Sequence, residues 1–263
     1  MHDGGMDHTT AALVGISHGT ASADGQAAVQ RLIDAVGDAA AGRSASVAAD
    51  VPVPSPAIVR LGHVDVQQPD VAATLDALPR SAPAVVVPLL LSAGYHVHVD
   101  LRREIDDVVD RPVRLAGALG PDDRLVEVLR RRLDEAGATP DDLVVLAVAG
   151  SSDARAVDDC RDMGERLAVA LGAPVTVGFL SAAEPRLADA IAAVRDGGGD
   201  HRVVVASYLL APGYFQDLAA AAGADLVTEP LLTPDDAPVE LVDVVLDRFA
   251  ASVSEASDAA PEA

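Results

Sequence analysis

The chain has 263 residues, 50% of them hydrophobic, with one Cys, no Trp and a formal net charge of −22. Nucleic acids and anionic membranes are bound by basic surfaces, so this charge argues against both as partners. A single cysteine rules out a disulfide framework and any zinc or iron–sulfur site built from several thiolates. The sequence shows no secretory signal pattern and no apolar run long enough to span a bilayer, so a cytoplasmic protein is expected.

The first part of the chain is predicted to alternate between strands and helices. The strand "AALVGIS" ends in the polar turn "HGTASADG", and the helix "QAAVQRLIDAVGDAA" follows with apolar residues at three- and four-residue spacing. Next come the strand "AIVRLGHVDV", the short helix "VAATLDALP" and the strand "APAVVVPLLLSA". The helix "VDLRREIDDVV", with Asp100 as its expected cap, then leads to the strand "RPVRLAGAL". A helix with an acidic linker, "GPDDRLVEVLRRRLDEAGATPDD", ends this series.

A second series repeats the same order of elements, from "LVVLAVAGSS" to "ADLVTEPLL". Continuous Val and Leu runs are typical of buried parallel strands. The sequence therefore predicts an α/β fold of two tandem βα-repeat domains, similar to flavodoxin, each with a mainly parallel four-stranded sheet flanked by helices. The predicted domains span 10–136 and 137–250, with a disordered tail at 1–9 and an acidic tail at 251–263.

Aligning the two halves shows where they differ. "HGTASA" matches "AGSSDA", "VDVQQP" matches "LSAAEP", and "LLSAGYH" matches "LLAPGYF". At three predicted strand ends the first half has His18, Asp65 and His96, where the second half has Ala149, Ser181 and Phe215. Ligands of open parallel sheets bind beyond the carboxyl ends of the strands. A functional site in the first half alone is therefore predicted.

Two imidazoles and a carboxylate are suitable ligands for a divalent transition metal. Three protein ligands also leave coordination positions open for another molecule. The residues alone leave several functions open: an enzyme acting on a metal, a Co²⁺ or Ni²⁺ carrier, a flavodoxin-like flavin protein, or a histidine phosphatase. The phosphatase is disfavoured by Ser17, where an arginine is needed, and the flavin protein by having only Tyr95 to stack on the ring. His63 and His201 are interpreted as structural, and His98 as solvent-facing.

The motifs "SHGT" at 17, "VDVQQP" at 64 and "GYHVHVD" at 94 resemble the class II tetrapyrrole chelatases of the sirohydrochlorin type, in their long two-domain form. The resemblance covers nearly the whole chain. It implies that His18 and His96 handle the metal and that Asp65 stands where many members have Glu. It also implies Co²⁺ or Fe²⁺ and metal-free sirohydrochlorin as substrates, in cobalamin or sirohaem biosynthesis. No tightly bound cofactor is expected, and the protein is expected to be a monomer.

The resemblance implies a substrate with eight carboxylates, which a strongly acidic protein can hold only through local positive charge. Arg102 and Arg103 are the candidates, because guanidinium pairs with carboxylate through two hydrogen bonds. Tyr95, Tyr214 and Phe215 are candidates for an apolar wall against the macrocycle. The alternatives are a solvated helix face for the arginines and packing between the domains for Tyr214 and Phe215.

Overall fold

A computed structural model describes residues 11–45, 54–80, 82–92 and 95–258, with only the backbone given at 44–45, 95–100 and 256–258. The first half, up to residue 136, contains β1 (Ala12–Ser17), α1 (Ala23–Ala45), β2 (Ile58–His63), α2 (Val71–Asp76), β3 (Ala84–Pro88), α3 (Tyr95–Asp106), β4 (Val113–Leu115) and α4 (Asp123–Glu135). The second half contains β5 (Leu143–Val148), α5 (Ala154–Leu171), β6 (Val175–Phe179), α6 (Leu187–Gly198), β7 (Val203–Tyr208), α7 (Tyr214–Ala220), β8 (Leu226–Val227) and α8 (Val239–Asp258).

The two sheets have the same topology. Their strand orders are β2-β1-β3-β4 and β6-β5-β7-β8, and all pairs are parallel. All six residues of β1 are buried, with Leu13 facing one apolar cluster and Val14 facing another. Because successive side chains of a strand point to opposite faces, a sheet covered on both sides needs such a continuous apolar run. The predicted α/β class with two parallel four-stranded sheets is confirmed.

Two helix boundaries differ from the prediction. Helix α3 begins at Tyr95, so Asp100 lies within it and is not its cap. Helix α8 was not predicted, and it includes residues 251–258, which were assigned to an acidic tail. Glu255 is exposed on this helix, whereas Val253 is buried. The helix thus extends to Asp258 within the segment assigned to the tail, and the bounds of that tail remain a prediction.

The last helix of each half packs on the other half. Helix α8 contacts α1 and β3, whereas α4 contacts α5 and β7. One apolar cluster consequently contains Leu13 of the first sheet, Leu146 of the second and Phe249 of α8. Ion pairs from α8, such as Arg43 to Asp243 at 2.6 Å, lie at the partly exposed edge of this contact and add little stability. The division at residue 136 remains a prediction, but the two halves share a core.

None of the helices in the described part of the chain has the length and apolar character needed to cross a membrane.

The shared core predicts how the protein unfolds. Phe249 is fully buried on α8, so Phe249→Ala should lower the free energy of unfolding by about 3–5 kcal/mol. Val239→Ala, at the exposed start of the same helix, should change it by less than about 0.5 kcal/mol. Urea unfolding followed by circular dichroism should show one transition that shifts as a whole. Two transitions, of which only one moves, would contradict a shared core.

Candidate active site

The predicted site residues follow three neighbouring strands. His18 comes directly after β1, Asp65 follows β2 by two residues, and His96 is the second residue of the helix that follows β3. Strand β1 lies between β2 and β3, so His18 occupies the central position at the carboxyl edge of the sheet. The topology therefore brings these three positions to the edge where ligands of parallel sheets bind.

His18 and Asp65 are in direct backbone contact. The Asp65 amide donates a hydrogen bond to the His18 carbonyl oxygen at 3.1 Å. Both residues are exposed. The Asp65 carboxylate also accepts a hydrogen bond from the Val66 amide at 2.7 Å, which orients it at the start of the turn. An imidazole and a carboxylate thus reach solvent from adjacent positions.

Gly19 makes this approach possible. Its φ of 93° lies in the left-handed region, and a Cβ there would overlap the Asp65 carbonyl oxygen. Val66, on the other side of the contact, also has a positive φ of 64°. A β-branched residue rarely adopts this conformation, and such residues often occur at functional sites.

Polar groups on β1, on β2 and in the turns that follow them were not predicted as part of the site. Ser17 Oγ and His63 Nδ1 are 2.8 Å apart, and burial lowers the pKa of His63, which favours a neutral imidazole. The Thr20 amide donates to Gln67 Oε1 at 2.9 Å, and Gln26 Nε2 donates to the Thr20 carbonyl at 2.9 Å. Only the pairing of β1 with β2 reveals the Ser17–His63 and Thr20–Gln67 contacts, because these partners are 46 and 47 residues apart in sequence.

The side chains of His96, His98 and Tyr95 lie outside the described residues. Among the side chains that are described, no group of three or more His, Cys, Asp or Glu could hold a metal ion, and that search cannot include His96. Arg103 follows His96 by seven residues, so an α-helix puts their Cα atoms on about the same side, roughly two turns apart. The Cα atom of Arg102 lies about a third of a turn around the helix axis from that of His96. Both arginines are exposed.

The second half borders the site through the loop before α7. A Cβ on Gly213 would contact Thr20 Oγ1 at 3.1 Å, and Gly25 of α1 abuts the Pro212 carbonyl. The next residues, Tyr214 and Phe215, are 71% and 37% exposed, with ring centroids 5.7 Å apart. Tyr214 therefore reaches solvent, whereas Phe215 is only partly exposed, and the role of the two rings remains a prediction.

The equivalent edge of the second sheet has the same backbone contacts but lacks the predicted metal-binding side chains. The Ser181 amide donates to the Ala149 carbonyl at 2.9 Å, as Asp65 does to His18. Gly150 has a φ of 90° and faces the Ser181 carbonyl, as Gly19 faces that of Asp65. Both halves therefore form this turn, whereas only the first half carries an imidazole and a carboxylate on it.

Comparison with known proteins identifies several relatives. The family model described as CbiX matches residues 12–136 and 143–228. The sirohydrochlorin cobaltochelatase of Sulfurisphaera tokodaii is 28% identical over 80 residues, which are 30% of this chain and 67% of that protein.

Solved structures resemble the chain along most of its length. SirB from Bacillus subtilis with Fe³⁺ has a TM-score of 0.71 at 18% identity, covering 95% of this chain and 98% of that one. The sirohydrochlorin chelatase SirB from Bacillus subtilis subspecies spizizenii, in complex with cobalt, has a TM-score of 0.62 at 16% identity, covering 95% and 96%. These structures share the fold of this chain.

Replacing Gly19 tests the contact between the two turns. Gly137 has a φ of 77° and open space around it, so Gly137→Ala should cost only the left-handed penalty, about 1–2 kcal/mol. Gly19→Ala should cost more, because its methyl group would also overlap the Asp65 carbonyl. Urea unfolding of both variants measures the difference. Equal losses of the free energy of unfolding in the two variants would show that the turn after β1 can move away from the turn after β2 at no cost.

Proposed function

Because this chain belongs to the CbiX family, we propose that it is a sirohydrochlorin chelatase, which inserts Co²⁺ or Fe²⁺ into the metal-free tetrapyrrole. The observation that carries the proposal is the exposed pair of His18 and Asp65 at the carboxyl edge of one sheet, in a chain whose two halves both match the family model. The metal and the tetrapyrrole are both substrates, and no tightly bound cofactor is required. Co²⁺ corresponds to cobalamin biosynthesis and Fe²⁺ to sirohaem biosynthesis.

His18, His96 and Asp65 are proposed to hold the metal before insertion. Imidazole nitrogens bind both Co²⁺ and Fe²⁺, and one carboxylate neutralises part of the charge. Aspartate is shorter than glutamate, and the backbone bond between Asp65 and His18 places the two residues next to each other at the sheet edge. Three protein ligands leave coordination positions for water and then for the pyrrole nitrogens.

The chemistry consists of proton removal and ligand exchange. Insertion releases two pyrrole protons as four macrocycle nitrogens replace the water and the protein ligands of the metal. An imidazole that gives up the metal has a free nitrogen lone pair, so His18 and His96 can each accept a proton. Asp65 can take a proton or orient the imidazole of His18. Oxidation state does not change, so no electron donor is involved.

Binding of the macrocycle is proposed to use both halves. The rings of Tyr214 and Phe215 are exposed near the His18 turn and offer an apolar surface. Tyr95 begins the equivalent helix of the first half. Arg103 and Arg102 are proposed to pair with substrate carboxylates, which an overall charge of −22 would otherwise repel. We place the protein in the cytoplasm as a monomer. Helices α4 and α8 each pack on the other half of the same chain.

Removal of a ligand tests the proposal directly. His18→Ala and His96→Ala should each lower the rate of Co²⁺ insertion into sirohydrochlorin by more than about 100-fold, since even outer-shell partners of metals cost about 10–100-fold. His201→Ala, an exposed histidine of the second half, is the matched control and should retain activity. Absorption spectroscopy of the product measures the rate. Wild-type insertion by both ligand variants would refute the assignment, and metal binding without any insertion by the wild type would indicate a metal carrier.

The two halves also predict the stoichiometry of binding. Ala149, Ser181 and Phe215 offer no imidazole or carboxylate, so the second sheet edge should bind no transition metal. Titration of the apoprotein with Co²⁺, followed by its visible bands, should saturate at about one equivalent per chain. Two equal sites per chain would contradict a site confined to the first half.

A further inference from the structure

The halves differ at three more positions beneath the site. Ser17 lies opposite His63 on paired strands, and Val148 lies opposite Phe179 at the same register of the second sheet. Gln67 and Ala183 are equivalent, since their amides donate to the carbonyls of Asp65 and Ser181, both at 2.6 Å. Three polar residues of the first half, namely Ser17, His63 and Gln67, thus replace three apolar residues of the second, namely Val148, Phe179 and Ala183.

The fold does not require these polar groups. In the first half the Val64 amide donates to the Ser17 carbonyl at 2.9 Å, and in the second the Leu180 amide donates to the Val148 carbonyl at 2.9 Å. The next bonds, from Asp65 to His18 and from Ser181 to Ala149, are also repeated. The second half therefore shows that the same turn forms with apolar side chains beneath it.

The polar groups instead hold the backbone beside His18. The Gly19 amide donates to Ser17 Oγ at 3.2 Å, and the Thr20 amide donates to Gln67 Oε1 at 2.9 Å. His63 Nδ1 lies 2.8 Å from the same Ser17 oxygen and links it to the neighbouring strand. The two amides that follow His18 are thus bound by side chains that have only apolar counterparts in the half without a histidine.

We infer that Ser17, His63 and Gln67 are positioning residues that fix His18 in the orientation needed to bind and release the metal. The inference rests on the proposed function of His18. Burying polar groups has a desolvation cost, which hydrogen bonding only partly offsets. An exposed loop residue next to glycine has many accessible orientations, and a metal ligand must be held within about 0.5 Å of its productive position. These three residues supply that restraint without contacting the metal.

The test replaces the three residues by their counterparts from the second half. Ser17→Val, His63→Phe and Gln67→Ala combined should raise the Kd for Co²⁺ by about 10–100-fold and lower kcat, with an unchanged KM for sirohydrochlorin. The visible bands of bound Co²⁺ should shift, because the orientation of the imidazole changes. Thermal stability should fall only modestly: both partners of the Ser17–His63 bond become apolar, whereas the half-buried amides of Gly19 and Thr20 lose their side-chain acceptors. Ser181→Ala removes a hydrogen bond from the same edge of the second sheet and should change none of these quantities.

His18→Ala, measured in parallel, separates this inference from the proposed function. Loss of metal binding in His18→Ala with wild-type Kd, kcat and bands in the triple variant would overturn the inference alone. Full metal binding in His18→Ala would overturn the proposed function. If the triple variant does not fold, Gln67→Ala alone removes only the bond to Thr20 and should raise the Kd by about 2–10-fold. An unchanged Kd in that variant would also overturn the inference.

Discussion

The carbonyl oxygen of Asp65 lies so close to Gly19 that a Cβ at position 19 would force one of the two turns to shift. This contact presses the turn after β1 against the turn after β2, and the bond from the Asp65 amide to the His18 carbonyl closes it. It determines which side chains can meet at the sheet edge. Gly150 and Ser181 make the same contact in the second half. The close approach of the two turns therefore comes from the fold, and the halves differ in the side chains that the turns carry.

The second half lacks the predicted metal ligands, but it packs against the first half, which carries them. Helix α8 covers α1 and β3 of the first half, so the sheet that carries the site is completed by a distant part of the chain. The loop that contains Pro212 and Gly213 abuts α1 and the turn after β1, and it brings Tyr214 and Phe215 to the border of the site. The second half can therefore support the fold of the first without an imidazole or carboxylate at its own sheet edge.

Much of this arrangement could be predicted from sequence, because parallel strands have distinctive apolar runs and their carboxyl ends share one edge. The difference between the repeats predicted His18 and Asp65 as site residues, because the second half has Ala149 and Ser181 there. The partnership of Ser17 and His63 was not predicted, because strand register is not visible in one sequence. The start of α3 was misplaced because "YHVHVD" alternates like a strand end. Helix α8 was not predicted, although its apolar residues Leu241, Val245 and Phe249 have helical spacing.

The central proposal is that imidazoles at the carboxyl edge of the first sheet bind the metal. X-ray absorption at the cobalt edge of the one-to-one complex measures the ligands directly, because imidazole rings give characteristic outer-shell scattering. Two imidazoles together with oxygen ligands are expected in the wild type, and one imidazole is expected in the weaker complex that His18→Ala forms at high Co²⁺ concentration. A wild-type spectrum with oxygen ligands only, or one that His18→Ala leaves unchanged, would contradict it.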